Sequence, residues 1–197
     1  MLKSGRARLY CEVQKMELKE AVRERRSVRH FKAEPVPHEV ILEIMEDVRF
    51  VPSWKNTQIV RYYLVEDPAL KARFDAGEFC YGFSYNAGTL KRAPQVLILA
   101  YQKGVSGHEK DGSDATPKGD DFWEAFDCGI AAQTFCLLAH ERGIGTVIQG
   151  YFDDAKICEA MGIPEGFSVG AVIPMGYPEE EPKTPVRKEA EELITFM

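Results

Sequence analysis

Apolar positions recur along the chain with two spacings, and the change from one to the other marks its elements. In residues 16–24, Leu18, Ala21 and Val22 fall on one side of a short amphipathic helix. Glu34-Pro35-Val36-Pro37 is a rigid connector, and Pro37 suits a helix start. Val40, Ile41, Ile44, Met45 and Val48 then share one helical face, in a helix that must stop before Pro52. Residues 59–65 form a β-rich run closed by Asp67-Pro68, which opens a short helix through Phe74. Residues 78–90 are rich in aromatics and glycine and have no period.

The continuous apolar run Gln95-Val-Leu-Ile-Leu-Ala-Tyr101 predicts a strand covered on both faces. Residues 103–121 are polar and aperiodic, as in a long mobile loop or lid. The longest helical pattern follows at 122–142. It carries one track of Phe126, Ile130, Gln133, Leu137 and Glu141 beside a small-residue track of Ala125, Gly129, Ala132 and Cys136. Small residues admit a close neighbour, so this helix is expected to be central and to pack on a symmetry mate. Gly143 should end it as a left-handed cap. A short strand at 146–148 and a helix capped by Asp153 or Asp154 come next. A last strand, 167–173, should stop at Pro174 and lead into an extended tail at 177–185. About four strands and five or six helices, largely segregated, give an α+β fold.

At 197 residues the chain is expected to form one domain, spanning 16–197, with residues 1–15 as an extension upstream of the first helical pattern. A net charge of −6 argues against nucleic acid as the main partner, which calls for a basic face. No apolar run approaches the roughly 20 residues that span a bilayer, and the first fifteen residues lack a signal-peptide core. Cys11, Cys80, Cys128, Cys136 and Cys158 are odd in number and never spaced Cys-x-x-Cys. They read as reduced thiols of a cytoplasmic protein.

Against this acidic whole, residues 23–32 hold five Arg or Lys side chains and one carboxylate, Glu24. Arg25 and Arg29 are four apart, so any helical turn would aim them at one spot, where forked guanidiniums and the Ser27 hydroxyl suit a phosphate. On charge alone a solvated basic helix end is the simpler reading. No Gly-x-Gly-x-x-Gly follows a strand, no phosphate-binding Gly-Lys-Ser/Thr loop exists, and His30, His38, His108 and His140 have no metal-ligand spacing.

The order of the motifs says more than any one of them. Arg25-Arg26-Ser27-Val28-Arg29-His30-Phe31 is followed by Pro52-Ser53-Trp54-Lys55-Asn56-Thr57-Gln58, then by Asp127-Cys-Gly-Ile-Ala-Ala-Gln133. Gly143-Ile-Gly-Thr146, Ile148-Gln149-Gly150-Tyr151, Gly176-Tyr177-Pro178 and Arg187-Lys188 complete the series. The series resembles the FMN-dependent nitroreductase family from residue 16 to the end of the chain. That resemblance implies a nitroreductase-like α+β fold, an antiparallel-type sheet flanked by helices, and an intertwined homodimer holding two FMN molecules at its interface. Arg25, Arg26 and Ser27 match residues that hold the FMN phosphate and ribityl chain, and Arg29 a cation near the N1/O2 edge. Pro52, Ser53, Trp54 and Asn56 match a loop given by the partner subunit. Asn86 aligns with an amide at the pyrimidine edge, and Gln149 and Gly150 with backbone donors toward N5 and O4. Arg187 and Lys188 match tail cations that return to the phosphate.

The implied activity is electron transfer from NADH or NADPH to a nitroaromatic, quinone or similar small acceptor by a ping-pong mechanism. The competing reading is a flavin-binding or sensing protein without nicotinamide turnover. No matched side chain has to act as a general acid or base, so no catalytic residue is nominated. Three departures stand out: Gln149 replaces a frequent Glu, Ile59-Val60 stands where Pro-Trp often follows the loop glutamine, and Trp54-Lys55 is bulkier than the small residues often found there. Trp54 and residues 103–121 are candidates for pocket wall and lid, although Trp54 suits plain dimer packing equally. The family also contains members that dehalogenate or fragment flavin, so membership alone fixes no acceptor.

Overall fold

The computed structural model describes residues 16–119 and 121–197. The expected extension, residues 1–15, lies outside them, as does Cys11. Six helices and four strands follow in the order α1 (Leu18–Glu24), α2 (His38–Val48), β1 (Val60–Val65), α3 (Pro68–Asp75), α4 (Ser84–Arg92), β2 (Gln95–Gln102), α5 (Phe122–Glu141), β3 (Gly145–Thr146), α6 (Asp154–Met161) and β4 (Phe167–Gly176). Short 3-10 turns occupy Trp54–Asn56 and Ala190–Glu192. The sheet is antiparallel throughout, ordered β1-β2-β4-β3.

Strand β2 is interior, and its pleat divides the core. Leu97 and Leu99 join Ile41, Ile44 and Val48 of α2 and Phe135 of α5 on one face. Val96, Ile98 and Ala100 join Phe74, Leu90 and Ile157 on the other. An apolar run with no alternation is what a strand with two buried faces requires. Local stop signals also act as expected. Asp67 and Asp153 cap α3 and α6 through side-chain oxygens, and Gly143 takes φ +72° after α5.

Four expectations are corrected. Strand β4 runs through Pro174, whose carbonyl accepts from Val147 N–H at 3.3 Å. The proline nitrogen therefore faces the side where pairing lapses between Thr146 and Gln149, and no ladder donor is lost. Leu18 and Val22 are exposed, and of the α1 apolar side only Ala21 is buried. On α5 the buried apolar residues are Cys128, Ala131, Ala132, Phe135, Cys136 and Ala139, joined by the acids Glu124 and Asp127, whereas Phe126, Ala125 and Gly129 face outward. The small-residue track thus splits, its first half open and its second half in the core. Residues 103–121 are anchored at their base: Ser106 is fully buried, and Val105 N–H donates to Glu124.

One glycine fixes how close α5 comes to the sheet. A β-bulge at β2 residues 99–100 makes Gly170 the extra residue of β4. A Cβ there would lie 2.1 Å from Cys128 Sγ, so the helix can seat only over a glycine.

Candidate functional site

Helix α1 ends at Glu24, and the arginine motif beyond it is extended, which corrects the expected helical turn. Ser27 bridges Thr146 in parallel, and Val28 N–H donates to the Thr146 carbonyl at 3.0 Å. Phe31 then bridges Pro178, and Lys32 N–H donates to Tyr177. Residues 25–32 therefore lie as an added strand between β3 and the tail. In an extended chain residues four apart lie roughly 13 Å from one another, so Arg25 and Arg29 do not converge as a helical turn would have them.

Arg25 and Arg26 line a groove of about 800 Å³ together with His140, Thr146 and Thr184. Both arginines are half-buried. Arg26 donates to the carbonyls of Arg23 and Arg25 and, at 3.1 Å, to the Thr184 hydroxyl. His140 Nε2 is buried with no hydrogen-bond partner among the described residues. Burial holds the His140 pKa below the usual imidazole value; Arg25 and Arg26 lower it further while Glu24 and Glu20 pull it back up.

A second cluster forms around Arg29. Its guanidinium donates to the Ser27 carbonyl at 3.1 Å and lies 5.4 Å from the centre of the Tyr85 ring, a cation–π contact. Asn86 follows Tyr85 on α4, and the Gln149 side-chain amide reaches its carbonyl at 3.5 Å. The Gln149 backbone N–H donates to Val172 at 2.9 Å, and its carbonyl accepts from Val172 in return. That N–H therefore faces the sheet, contrary to the expectation that it serves a ligand. Gly150 is exposed, with open space where a Cβ would be. Tyr81, Phe83 and Tyr151 make an exposed aromatic group alongside, with ring centres 5.5 and 5.7 Å apart.

The turn at residues 52–58 lies elsewhere. Trp54 N–H donates to both oxygens of Asp127, at 3.1 and 3.0 Å, and Pro52 and Ser53 border a pocket of about 250 Å³ with Asp127 and Ala131. Gly150 borders a different pocket, beside Ala125 and Gly129. At about 100° per residue, Asp127 and Ala131 lie on one side of α5 and Ala125 and Gly129 on the opposite side. Within one chain, α5 thus stands between the turn and Gly150, which directly follows Gln149 of the Arg29 cluster. Asn56 is exposed and has φ +58°.

Arg187 and Lys188 are exposed. Among the described residues Arg187 donates only to the Pro185 and Val186 carbonyls, and neither residue lines the groove. The chain therefore joins Arg25, Arg26 and Ser27, and separately Arg29, Asn86, Gln149 and Gly150. It does not bring Pro52, Ser53, Trp54, Asn56, Arg187 or Lys188 to them. Among the described residues no group of three His, Cys, Asp or Glu side chains could hold a metal ion, and no helix is long and apolar enough to cross a membrane.

Sequence reasoning gave Asp127, Ser106 and Tyr85 no role. For Asp127 the signal was present, since it is a lone acid in an apolar helical stretch. The other two depend on long-range contacts.

Comparison with known proteins covers most of the chain. A sequence model of the nitroreductase family matches residues 22–80 and 83–177. The Bacillus subtilis (strain 168) protein YfhC, assigned by name as an NAD(P)H nitroreductase, is 30% identical over 189 residues, covering 86% of this chain and 91% of that protein. A Thermus thermophilus protein named NADH dehydrogenase is 27% identical over 188 residues, covering 84% and 89%. The fold matches the NADPH:FMN oxidoreductase of Vibrio harveyi solved with NAD+, with a TM-score of 0.72 at 22% identity over 90% of this chain and 76% of that one.

Proposed function

The chain belongs to the nitroreductase family, and on that premise we propose that it is an NAD(P)H-linked oxidoreductase carrying FMN between two copies of itself. One observation carries the two-copy reading. The turn at 52–58 and Gly150, which directly follows Gln149, lie on opposite sides of α5, so one cofactor can meet both only if a second chain supplies the turn.

The residues present fit the cofactor. Arg25 and Arg26 are forked donors on a groove, with the unpartnered His140 nitrogen beside them. An FMN phosphate and its ribityl chain suit these two arginines and Ser27. Arg187 and Lys188 stand outside the groove, but Thr184, three residues before Arg187, ties their tail to Arg26 within about 10 Å of chain, and a bound phosphate would draw these cations in. The N1/O2 edge suits Arg29, which its contacts with Tyr85 and Ser27 hold in place. Asn86 presents an amide for the pyrimidine edge, with Gln149 braced against its carbonyl. Gly150, exposed and unobstructed, supplies the backbone donor of this turn, since the Gln149 N–H is bonded to Val172. Pro52, Ser53, Trp54 and Asn56 come from the partner copy.

FMN, when bound, supplies the carrier that takes hydride from a nicotinamide and hands electrons to the acceptor. The protein's own contribution is positioning and charge. The Arg29 guanidinium offsets negative charge that develops near it, and contact between donor and acceptor is held by the pocket walls. A single open face serves nicotinamide and a nitroaromatic, quinone or similar acceptor in turn. Initial rates measured across NAD(P)H and acceptor concentrations should give parallel double-reciprocal lines. Intersecting lines would reject the shared face, and NAD(P)H oxidation indifferent to added acceptor would reject the enzyme.

A further inference from the structure

Asp127 is buried, at 2% exposure, in the otherwise apolar run Phe126-Asp127-Cys128-Gly129-Ile130-Ala131-Ala132. A buried carboxylate is costly unless donors surround it. Here the donors come from two segments. Trp54 N–H reaches both carboxylate oxygens, and the Ser106 hydroxyl donates to Oδ2 at 2.6 Å. With its proton directed to Asp127, Ser106 accepts from the Thr57 hydroxyl at 2.7 Å. Trp54 opens the 3-10 turn and Thr57 follows it, so one carboxylate grips both of its ends, once directly and once through Ser106.

The turn needs such a grip. Lys55, Asn56 and Gln58 take φ of +43°, +58° and +52°. Non-glycine residues keep that left-handed backbone only where their surroundings impose it. Two further contacts support the same joint: Lys55 pairs with Glu109 at 3.1 Å, and the Trp54 ring lies 4.6 Å from that of Trp123 on α5, at 47°. The Trp123 indole N–H in turn donates to Thr116 of the segment at 3.1 Å.

We propose that Asp127 is a positioning residue that locks the turn at 52–58 and the segment at 103–119 into one unit. The FMN-contacting turn and the pocket wall beside it are then set together, and the segment does not swing as a free lid. The proposal rests on the reading of Pro52, Ser53, Trp54 and Asn56 as FMN contacts. Asp127→Asn preserves shape but replaces one acceptor oxygen by an NH2 group, which must face either the Trp54 N–H or the Ser106 hydroxyl.

The test compares the full-length wild type, Asp127→Asn, Ser106→Ala and a control, Ala139→Gly. Ala139 is fully buried near the other end of α5, so its variant loosens the helix without touching the joint. Trp54 and Trp123 are the two tryptophans of the chain, and near-UV circular dichroism of cofactor-free protein reads their pairing. Flavin fluorescence gives the FMN dissociation constant. Asp127→Asn should lose the tryptophan signal and bind FMN about ten-fold more weakly. Ser106→Ala should do both to a smaller degree, and Ala139→Gly should do neither at an equal or larger drop in Tm. Unchanged signals in Asp127→Asn, or equal losses in Ala139→Gly, would overturn the proposal. If Asp127→Asn fails to fold, an unchanged dichroism signal in Ser106→Ala overturns it. Wild-type protein that binds no FMN would sink the flavin reading alone, because the dichroism comparison still tests the joint.

Discussion

A guanidinium half-buried on a groove gives up part of its hydration, and an anion returns that interaction more fully than water at a flat surface does. Arg25→Ala should accordingly weaken FMN about ten-fold or more while leaving Tm nearly unchanged, because no core contact is removed. A fluorescence titration measures this, and wild-type affinity in the variant would refute the phosphate assignment. Gly145 sets where that motif lies. A Cβ on it would meet the Val28 side chain at 2.7–2.8 Å. Gly145→Ala should push the Arg25–Arg29 segment outward and destabilise the fold by about 1–3 kcal/mol in urea unfolding, and it should weaken FMN as well. A neutral result would mean that the approach is not close. His140 supplies a pH dependence at the same groove. Its folded pKa is lowered, chiefly by burial, so the unfolded chain binds more protons. Its contribution to stability is complete above about pH 6.5, the ordinary imidazole value, and is lost as pH falls below it through the lowered folded value. His140→Gln should flatten that part of a Tm-against-pH curve, and an unaltered slope would place the titration elsewhere.

Helix α5 works through its two sides. The side turned inward carries Phe135, fully buried against α2 and the sheet, and truncating it to alanine should cost about 3–5 kcal/mol. The outward side carries Phe122 and Phe126, 40% and 51% exposed, with Ala125 and Gly129 one residue before and three after Phe126. Large apolar rings beside small residues on an open helix face fit a second helix at close range. Phe126→Glu should therefore leave the chain's own secondary structure intact by circular dichroism and shift the protein toward monomers in light scattering. A dimer as tight as wild type would mean that this side of α5 lies outside the interface.

Apolar exposure recurs at several places among the described residues, and three of them concern the assembly. Leu18 and Val22 stand out on α1, the aromatic rings on α5, and Val186, Leu193, Ile194 and Phe196 along the tail. One chain leaves all three uncovered, and a single partner copy wrapping around it would cover them together. The expected assembly is a homodimer burying about 2,000 Å² or more, held at low micromolar concentration. Light scattering that found a monomer with FMN tightly bound would contradict it.

The amino-acid sequence by itself determined whatever depends on neighbours within a few positions. Asp67-Pro68 opens α3, Asp153 caps α6, Gly143 ends α5, and the unbroken run of β2 declares a strand buried on both sides. The order of motifs was also legible, and with it the family. What the tertiary structure decided depends on partners far along the chain. The Arg25–Arg29 spacing suits a helical turn, yet hydrogen bonding to Thr146 and then to the tail draws the segment out straight. Gln149 has an ordinary backbone N–H in the sequence, and only its pairing with Val172 shows that this donor is already taken. Asp127 reads as a stray acid until Trp54 and Ser106 close on it, and Pro174 reads as a strand stop until its nitrogen proves to face the lapse beside β3. Turn, cap and helix preferences are local energies written residue by residue. Pairing across the sheet and burial of a charge are decided only when distant segments meet.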